Sequence, residues 1–142
     1  MANSTKFQKL MEPGYIGKVR TRNRIIFTGA AKRLHNKTDG NMTERGTALY
    51  EALALGGVGL IIVENAEIDF PFGTGQREGY RIDNDDYIPS FSKLTKVIHQ
   101  YDCPTFMQLF HHGPMRSSEY IGVPPVAASS LPKSEMPRPR YE

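Results

Sequence analysis

The fold is decided by the stretch Thr105-Phe106-Met107-Gln108-Leu109-Phe110-His111-His112-Gly113. Its apolar run is broken once, by Gln108, and it stops at two histidines and a glycine. A strand of a parallel sheet is covered on both faces and is therefore almost continuously apolar. The stretch predicts such a buried strand. Because a buried amide without partners costs about 1–3 kcal/mol, either the protein or a ligand must form hydrogen bonds with Gln108.

Two further buried strands are predicted upstream. Residues 24–28 form the first, and Gly29-Ala30-Ala31 follows it, where small side chains let another group approach the backbone closely. Residues 58–63 form the second, which closes on Glu64-Asn65-Ala66. In parallel sheets ligands bind beyond the carboxyl ends of the strands. These two clusters, with Gln108 and the histidines, are therefore the candidate site.

A helix is predicted between each pair of strands. The first has Thr43 as its N-cap and ends at Gly56-Gly57. Its predicted apolar face consists of Ala48, Leu49, Ala52, Leu53 and Leu55. The second is capped by Asp85 or Asp86 and tolerates Pro89 in its first turn. Its predicted buried stripe consists of Ile88, Phe91, Leu94, Thr95 and Ile98.

The alternation of strands and helices predicts an α/β fold with a parallel sheet. We expect an N-terminal hairpin cap in residues 1–23, a βαβαβ unit in residues 24–112 and an extended loop in residues 113–142. Three strands leave both sheet edges open, so either a doubly wound sheet or a partial (β/α)8 TIM barrel is expected. Residues 67–84 include Gly73-Thr74-Gly75, but no helix starts where a phosphate loop needs one, so a surface loop is predicted.

Composition argues against several classes of function. The 142-residue chain has a net charge of +3 without a run of Lys or Arg, so nucleic-acid binding is not expected. The single cysteine, Cys103, lies beside a proline and is predicted to be a core residue. The polar N-terminus lacks the apolar segment of a signal peptide, and residues 58–63 are too short to span a bilayer. We expect a cytoplasmic protein with no membrane partner.

Four short motifs occur in one order and spacing: Ile16-Gly17-Lys18-Val19 with Asn23-Arg24-Ile25-Ile26, then Gly56-Gly57-Val58-Gly59-Leu60-Ile61-Ile62, Gln108-Leu109-Phe110-His111 and Pro125-Val126-Ala127-Ala128-Ser129-Ser130. Together they resemble the Old Yellow Enzyme family, in particular bacterial NADH:flavin oxidoreductases related to 2,4-dienoyl-CoA reductase. The resemblance covers residues 7–142. It implies the first three βα units of an FMN-binding TIM barrel. It also implies hydride transfer from NADH or NADPH, through flavin N5, to a small activated alkene or enoyl compound.

The same resemblance implies which residues contact the cofactor. Gln108 matches the family glutamine that bonds the polar edge of the isoalloxazine ring, and a carboxamide offers both a donor and an acceptor for that edge. Thr28, Gly29 and Ala30 match the backbone run that lies along the flavin ring. Asn65 matches the position that approaches the pyrimidine edge of the flavin.

At three other positions this chain either differs from many family members or has a residue with more than one possible role. The resemblance also places Ala31 among the cofactor contacts; many members have Thr or Cys there, and this chain lacks that side chain for tuning the flavin potential. Pro114 stands where related sequences often have arginine. His111 takes the family's histidine position, with a role in substrate contact or in anchoring a loop. Adjacent strand residues point to opposite faces, so His111 and His112 are not expected to bind one metal ion.

Two alternatives to a flavoenzyme stay open. The family's phosphate-binding loops, substrate-binding pair and proton-donating tyrosine do not appear before Glu142, so the resemblance implies an incomplete and inactive fragment. A flavin-free barrel lyase or isomerase would need a carboxylate at a strand end, for which Glu64 is the candidate. A non-catalytic assembly module would instead pair its open sheet edges with another chain, as in a homo-oligomer.

Overall fold

The computed structural model describes residues 7–74, 79–115, 122 and 124–129. Within those ranges the helices, in chain order, are α1 (Gln8–Met11), α2 (Glu44–Leu55) and α3 (Ile88–His99). The strands are β1 (Gly14–Ile16), β2 (Val19–Thr21), β3 (Ile26–Phe27), β4 (Leu60–Glu67), β5 (Tyr80–Arg81) and β6 (Thr105–Phe110). Ser130 and most of the predicted loop over residues 113–142 lie outside the described residues.

The main sheet is parallel and has β4 at its centre. β6 pairs with β4 from Ile61 to Glu67, so it occupies one edge of that strand along nearly its whole length. β3 pairs with the start of β4 and β5 with its end, so these two short strands share the other edge. The order confirms the predicted parallel α/β sheet. The prediction of a plain surface loop over residues 67–84 was wrong at β5, because a two-residue strand has no readable alternation.

The ladder between β4 and β6 contains a β-bulge. Val63 pairs with Met107 and Ala66 pairs with Leu109, so Glu64 and Asn65 together face the single residue Gln108. A bulge of this kind bends the strand and changes the direction of the side chains around it. The predicted cluster at Glu64 and Asn65 therefore meets Gln108 at one irregularity of the sheet.

Helix α2 begins after Thr43, as predicted, and the Thr43 Oγ1 accepts a hydrogen bond of 3.1 Å from Gly46 N–H. The predicted apolar face was wrong. The helix buries its Gly46, Thr47, Tyr50 and Ala54 side, whereas Ala48, Ala52 and Leu55 are exposed and Leu49 and Leu53 are half-buried. Tyr50 explains the difference, since its large ring fills the space against the sheet and sets the rotation of the helix.

Helix α3 packs through Phe91, Leu94 and Ile98, which confirms most of its predicted stripe. Ile88 was wrongly placed in that stripe, because it is 57% exposed and the preceding Tyr87 is buried instead. The cap also differs. Asn84, rather than Asp85 or Asp86, accepts the hydrogen bond from the Asp86 N–H that starts the short 3-10 turn Asp85–Tyr87.

The core lies between the parallel sheet and the two helices. Its fully buried members are Tyr50, Ala54, Ile61, Val63, Ala66, Tyr80, Leu94, Ile98 and Cys103. Cys103 is thus a core residue, as predicted, and burial raises the pKa of its thiol. The prediction that β6 is buried was wrong: none of its residues is buried, and Leu109 is 64% exposed, because in the described chain only one edge of β6 is paired.

Arg22 joins the N-terminal hairpin of β1 and β2 to the rest of the fold. Its guanidinium donates hydrogen bonds to the backbone carbonyls of Val58 (3.0 Å), Tyr101 (2.7 Å) and Ala54. Ala54 lies in the last turn of α2, Val58 lies three residues beyond that helix, and Tyr101 lies two residues beyond α3. One side chain thus connects the hairpin to backbone carbonyls at or just beyond the ends of two helices.

Candidate functional site

Gly29 and Gln108 lie in direct contact although they come from different strands. A Cβ on Gly29 would stand 2.6 Å from Oε1 of Gln108 and 3.1 Å from its Cδ. No side chain larger than hydrogen fits there without moving the carboxamide. The absence of a side chain at Gly29 therefore allows the chain after β3 to lie against the Gln108 amide, which places two of the predicted cofactor residues together.

Gln108 itself is exposed on β6, opposite the bulge formed by Glu64 and Asn65. The part of the chain that the structure describes provides no hydrogen-bond partner for its carboxamide. Asn65 is half-buried at the same point of the sheet. The expectation that Gln108 is buried, and therefore needs hydrogen bonds from the protein or from a ligand, is thus wrong in its premise. As far as residues 7–74 and 79–115 are concerned, the amide donor and acceptor are available to a ligand or to water.

The other predicted cofactor residues follow β3 as a run of small side chains. Thr28 and Ala31 are exposed, and Ala30 is half-buried. Lys32 follows the run, and its ammonium group lies 6.0 Å from the centre of the Phe27 ring. The carboxyl end of β3 beside Gln108 therefore carries only small side chains, which are exposed or half-buried.

Glu64 is the residue of this region that the sequence-based prediction did not include among the cofactor contacts. It is only 3% exposed, and its Oε2 accepts a hydrogen bond from Lys32 N–H. The neighbouring Arg33 N–H also faces the carboxylate. Burial raises the pKa of Glu64, and the two backbone N–H groups oppose that effect. The sequence feature that could have pointed to Glu64 is a carboxylate next to an aliphatic run, just as the polar Gln108 interrupts an apolar run.

Two tyrosines lie beside the Glu64 carboxylate. Tyr50 Oη accepts a hydrogen bond of 3.2 Å from Glu64 N–H, so α2 supplies the acceptor at the bulge. Burial raises the pKa of Tyr50 to about 12, and burial also raises the pKa of Tyr80. The His35 ring packs edge-on against Tyr80, with 5.8 Å between the ring centres. Both phenols therefore stay protonated at neutral pH, and neither serves as a base there.

His111 contacts the loop that follows β4. Its Nδ1 accepts a hydrogen bond of 2.9 Å from Gly113 N–H, and its Nε2 lies 3.5 Å from an Asp69 carboxylate oxygen. Gly73 packs so closely that a Cβ there would stand 2.7 Å from the imidazole Cδ2. His112 N–H donates to the Gly73 carbonyl at 2.9 Å. These contacts favour the loop-anchoring role of His111, and its substrate contact stays a prediction.

The same loop carries aromatic side chains. Phe70 stacks under the Arg81 guanidinium, 3.9 Å from the ring centre, and Arg81 forms a bidentate ion pair with Asp83 at 2.8 and 2.7 Å. The Asp83 pKa is lowered mainly by that hydrogen bonding. In the described ranges there is no cluster of three or more metal-ligating side chains, and no helix long and apolar enough to cross a bilayer.

Comparison with known protein families shows to which family the chain belongs. The sequence profile of the NADH:flavin oxidoreductase / NADH oxidase family matches residues 9–140. The chain belongs to that family. Among relatives of the NADH:flavin oxidoreductase family, the NADH oxidase of Thermoanaerobacter brockii is 39% identical over 131 residues, which are 92% of this chain and 20% of the relative. The NADPH dehydrogenase of Bacillus subtilis is 32% identical over 115 residues, 81% of this chain and 33% of that enzyme.

Solved structures of old yellow enzymes share the fold of this family member. The old yellow enzyme of Trypanosoma cruzi superposes with a TM-score of 0.77 at 25% identity, over 94% of this chain and 38% of that one. The homologue from Zymomonas mobilis gives a TM-score of 0.74 at 29% identity, over 87% of this chain and 34% of that one. The chain thus spans between a fifth and two fifths of the length of these relatives.

Proposed function

We propose that this chain supplies one wall of the FMN site of an NAD(P)H-dependent oxidoreductase. The contact between Gly29 and Gln108 is the observation that carries the proposal, because it places backbone without a side chain beside a carboxamide that has no hydrogen-bond partner among the described residues. Membership of the NADH:flavin oxidoreductase family supports the same function. FMN, when bound, supplies the capacity to accept hydride from NADH or NADPH and deliver it to an activated alkene or enoyl substrate.

The residues present fit a flat ring with a polar edge. The Gln108 carboxamide donates through its nitrogen and accepts through its oxygen, as the alternating N–H and C=O groups of a flavin edge require. Residues 28–31 have no bulky side chain that would hold a ring away from the backbone. Asn65, from the bulge opposite Gln108, offers a second carboxamide at the same end of the sheet. The roles of Thr28, Gly29, Ala30 and Ala31 are to shape and cover the ring.

We further propose that residues 1–142 are the N-terminal part of a TIM barrel, with the hairpin as its cap. The exposed outer edge of β6 and the exposed side chains of β3, such as Ile26, would then be covered by later strands. The phosphate site, the proton donor and the choice of alkene would belong to those strands. The chain by itself is therefore expected to be inactive, and the complete enzyme is expected in the cytoplasm.

The contacts of Glu64 argue against a flavin-free lyase or isomerase. Such an enzyme would need a strand-end carboxylate open to its substrate. Glu64 is instead buried within β4, and its carboxylate already binds backbone N–H groups of the chain after β3. The assembly-module alternative requires a defined oligomer without cofactor. Sedimentation velocity of the chain tests it, since a stable dimer in the absence of flavin would favour that alternative.

Titration with lumiflavin tests the proposal directly, because lumiflavin has the isoalloxazine ring without the phosphate. We expect weak binding, measured as a change in flavin fluorescence. FMN and lumiflavin should bind to this chain with equal affinity. Gln108→Leu should weaken binding at least about tenfold, which corresponds to about 1.4 kcal/mol. Gln100→Leu, at an exposed position after α3, is the matched control. No lumiflavin binding by the folded wild-type chain, or equal binding by Gln108→Leu, would refute the proposal.

A further inference from the structure

The chain turns sharply just beyond the small residues that follow β3. Arg33 has a φ of 55°, a left-handed conformation that non-glycine residues rarely adopt. In a turn of this kind, successive backbone N–H groups can point toward one spot and form a concave anion-binding site. In this protein the N–H groups of Lys32 and Arg33 face the Glu64 carboxylate. The anion that this turn binds is thus a side chain of the central strand.

A carboxylate is an expensive residue for the interior of a sheet. Glu64 is 3% exposed, and burying an ionised carboxylate costs several kcal/mol unless hydrogen bonds and charges compensate it. An aliphatic residue would fill the same space without that cost. The hydrogen bonds to residues 32 and 33 therefore indicate a role for Glu64 that packing alone does not explain.

The position of Glu64 relative to the candidate site indicates what that role is. Glu64 lies in the bulge opposite Gln108, and Lys32 comes three residues after Gly29. The carboxylate thus ties the far end of the small-residue run to the same bulge that faces Gln108. The near end of the run is held where β3 pairs with β4, at Phe27 and Ile61. With both ends attached to β4, the backbone at Gly29 has little freedom to move away from Gln108.

We propose that Glu64 is a positioning residue, which holds the backbone of residues 29–33 against Gln108 so that a flavin ring meets a preformed surface. The inference rests on the proposed function, because it assigns Glu64 to the same flavin site. Glu64 is itself buried beneath that surface and would not hold the ring directly. It acts through the N–H groups of Lys32 and Arg33, and its loss affects the flavin only through the backbone that it holds.

Glu64→Leu separates positioning from stability, because it removes the hydrogen-bond acceptors and also removes a buried charge. We expect its melting temperature to match or exceed that of the wild-type chain. Amide hydrogen exchange at Lys32 and Arg33, measured by NMR without flavin, should become at least about tenfold faster. Lumiflavin affinity should fall at least about tenfold. Glu64→Gln retains one acceptor oxygen and should give intermediate values for both, which also provides a second variant if Glu64→Leu does not fold.

Glu67→Gln is the matched control, since Glu67 is equally buried on β4 but packs beside Gly79 rather than beside residue 32. It should leave exchange at Lys32 and Arg33, and lumiflavin affinity, unchanged. Wild-type exchange rates and affinity in both Glu64 variants would overturn the inference and leave the proposed function intact. Faster exchange in Glu64→Leu, with no lumiflavin binding even by the wild-type chain, would instead overturn the proposed function and the inference with it.

Discussion

Gly29 and Gln108 touch across the end of the sheet, and the missing Cβ of Gly29 is the reason that they can. A methyl group at that position would lie 2.6 Å from the Gln108 Oε1. That oxygen is the far end of a flexible side chain, so it can rotate away at little energetic cost. The contact therefore determines the direction of the carboxamide more than the stability of the fold.

Gly29→Ala should change stability little and binding strongly. The free energy of unfolding is expected to fall by less than about 1 kcal/mol, because Gln108 moves rather than the backbone. Lumiflavin affinity should fall at least about tenfold, since the carboxamide loses its orientation. Gly17→Ala is the control: its φ of 60° makes it destabilising, but it lies in the hairpin and should bind lumiflavin normally. Wild-type affinity in Gly29→Ala would contradict this prediction.

Arg22→Met should be among the most destabilising substitutions at a polar position. It removes the hydrogen bonds that the guanidinium donates to the carbonyls of Ala54, Val58 and Tyr101. We expect urea denaturation to give a loss of about 2–4 kcal/mol. Arg20→Met breaks only an exposed ion pair of 3.7 Å with Asp102, and should cost less than about 1 kcal/mol. Equal losses in the two variants would rule out the role assigned to Arg22.

The ion pair of Arg81 and Asp83 should make stability depend on acid pH. The Asp83 pKa in the folded protein is lowered below its ordinary 3.8, so as the pH falls through that range the unfolded chain takes up a proton before the folded one. The contribution is present above pH 3.8 and is lost as the pH falls through the lower folded pKa. Asp83→Asn should lower stability at neutral pH and flatten this acid dependence, as measured by thermal melting. Asp85→Asn, at an exposed position, should leave the dependence unchanged.

His111→Ala tests the loop-anchoring role. The variant loses the acceptor of Gly113 N–H and the neighbour of Asp69, so the loop after β4 should open more readily. Amide exchange at Gly73 is expected to become at least about tenfold faster, while exchange in α2 stays unchanged. His99→Ala, at the exposed end of α3, is the control. Unchanged exchange at Gly73 would show that the loop does not depend on the imidazole.

The elements that sequence patterns predicted correctly are the long ones with local signals. The start of α2 at Thr43 and its end before Gly56 follow from a capping residue and a glycine pair. β6 follows from its apolar run, whereas the strands predicted over residues 24–28 and 58–63 are in fact Ile26–Phe27 and Leu60–Glu67. The aliphatic run ends at Val63, so it did not show that the second strand continues through Glu64 and Asn65. Rotation of α2 was mispredicted because Tyr50, an aromatic residue with a polar tip, decides which face is buried, and aliphatic counting ignored it.

The features that local patterns did not predict join residues far apart in the chain. Arg22 reaches carbonyls that are 32 to 79 residues away, and Lys32 reaches Glu64 across 32 residues. The bulge exists only once β4 and β6 are paired, so neither strand shows it alone. Gln108 could be selected from the sequence because it interrupts an apolar run. Its contact with Gly29 depends on the conformation of the loop after β3, which no local sequence pattern predicts.

The bulge at Glu64 and Asn65 also limits how this sheet can be recombined with related barrels. Because two residues of β4 are matched to one of β6, the phase of the ladder after Ala66 differs from the phase before Val63. If either strand alone were transplanted into a homologous scaffold whose ladder has no bulge, its side chains beyond the bulge would point to the opposite face of the sheet. For chimera design, Leu60–Glu67 and Thr105–Phe110 form one indivisible cassette that has to be exchanged as a pair.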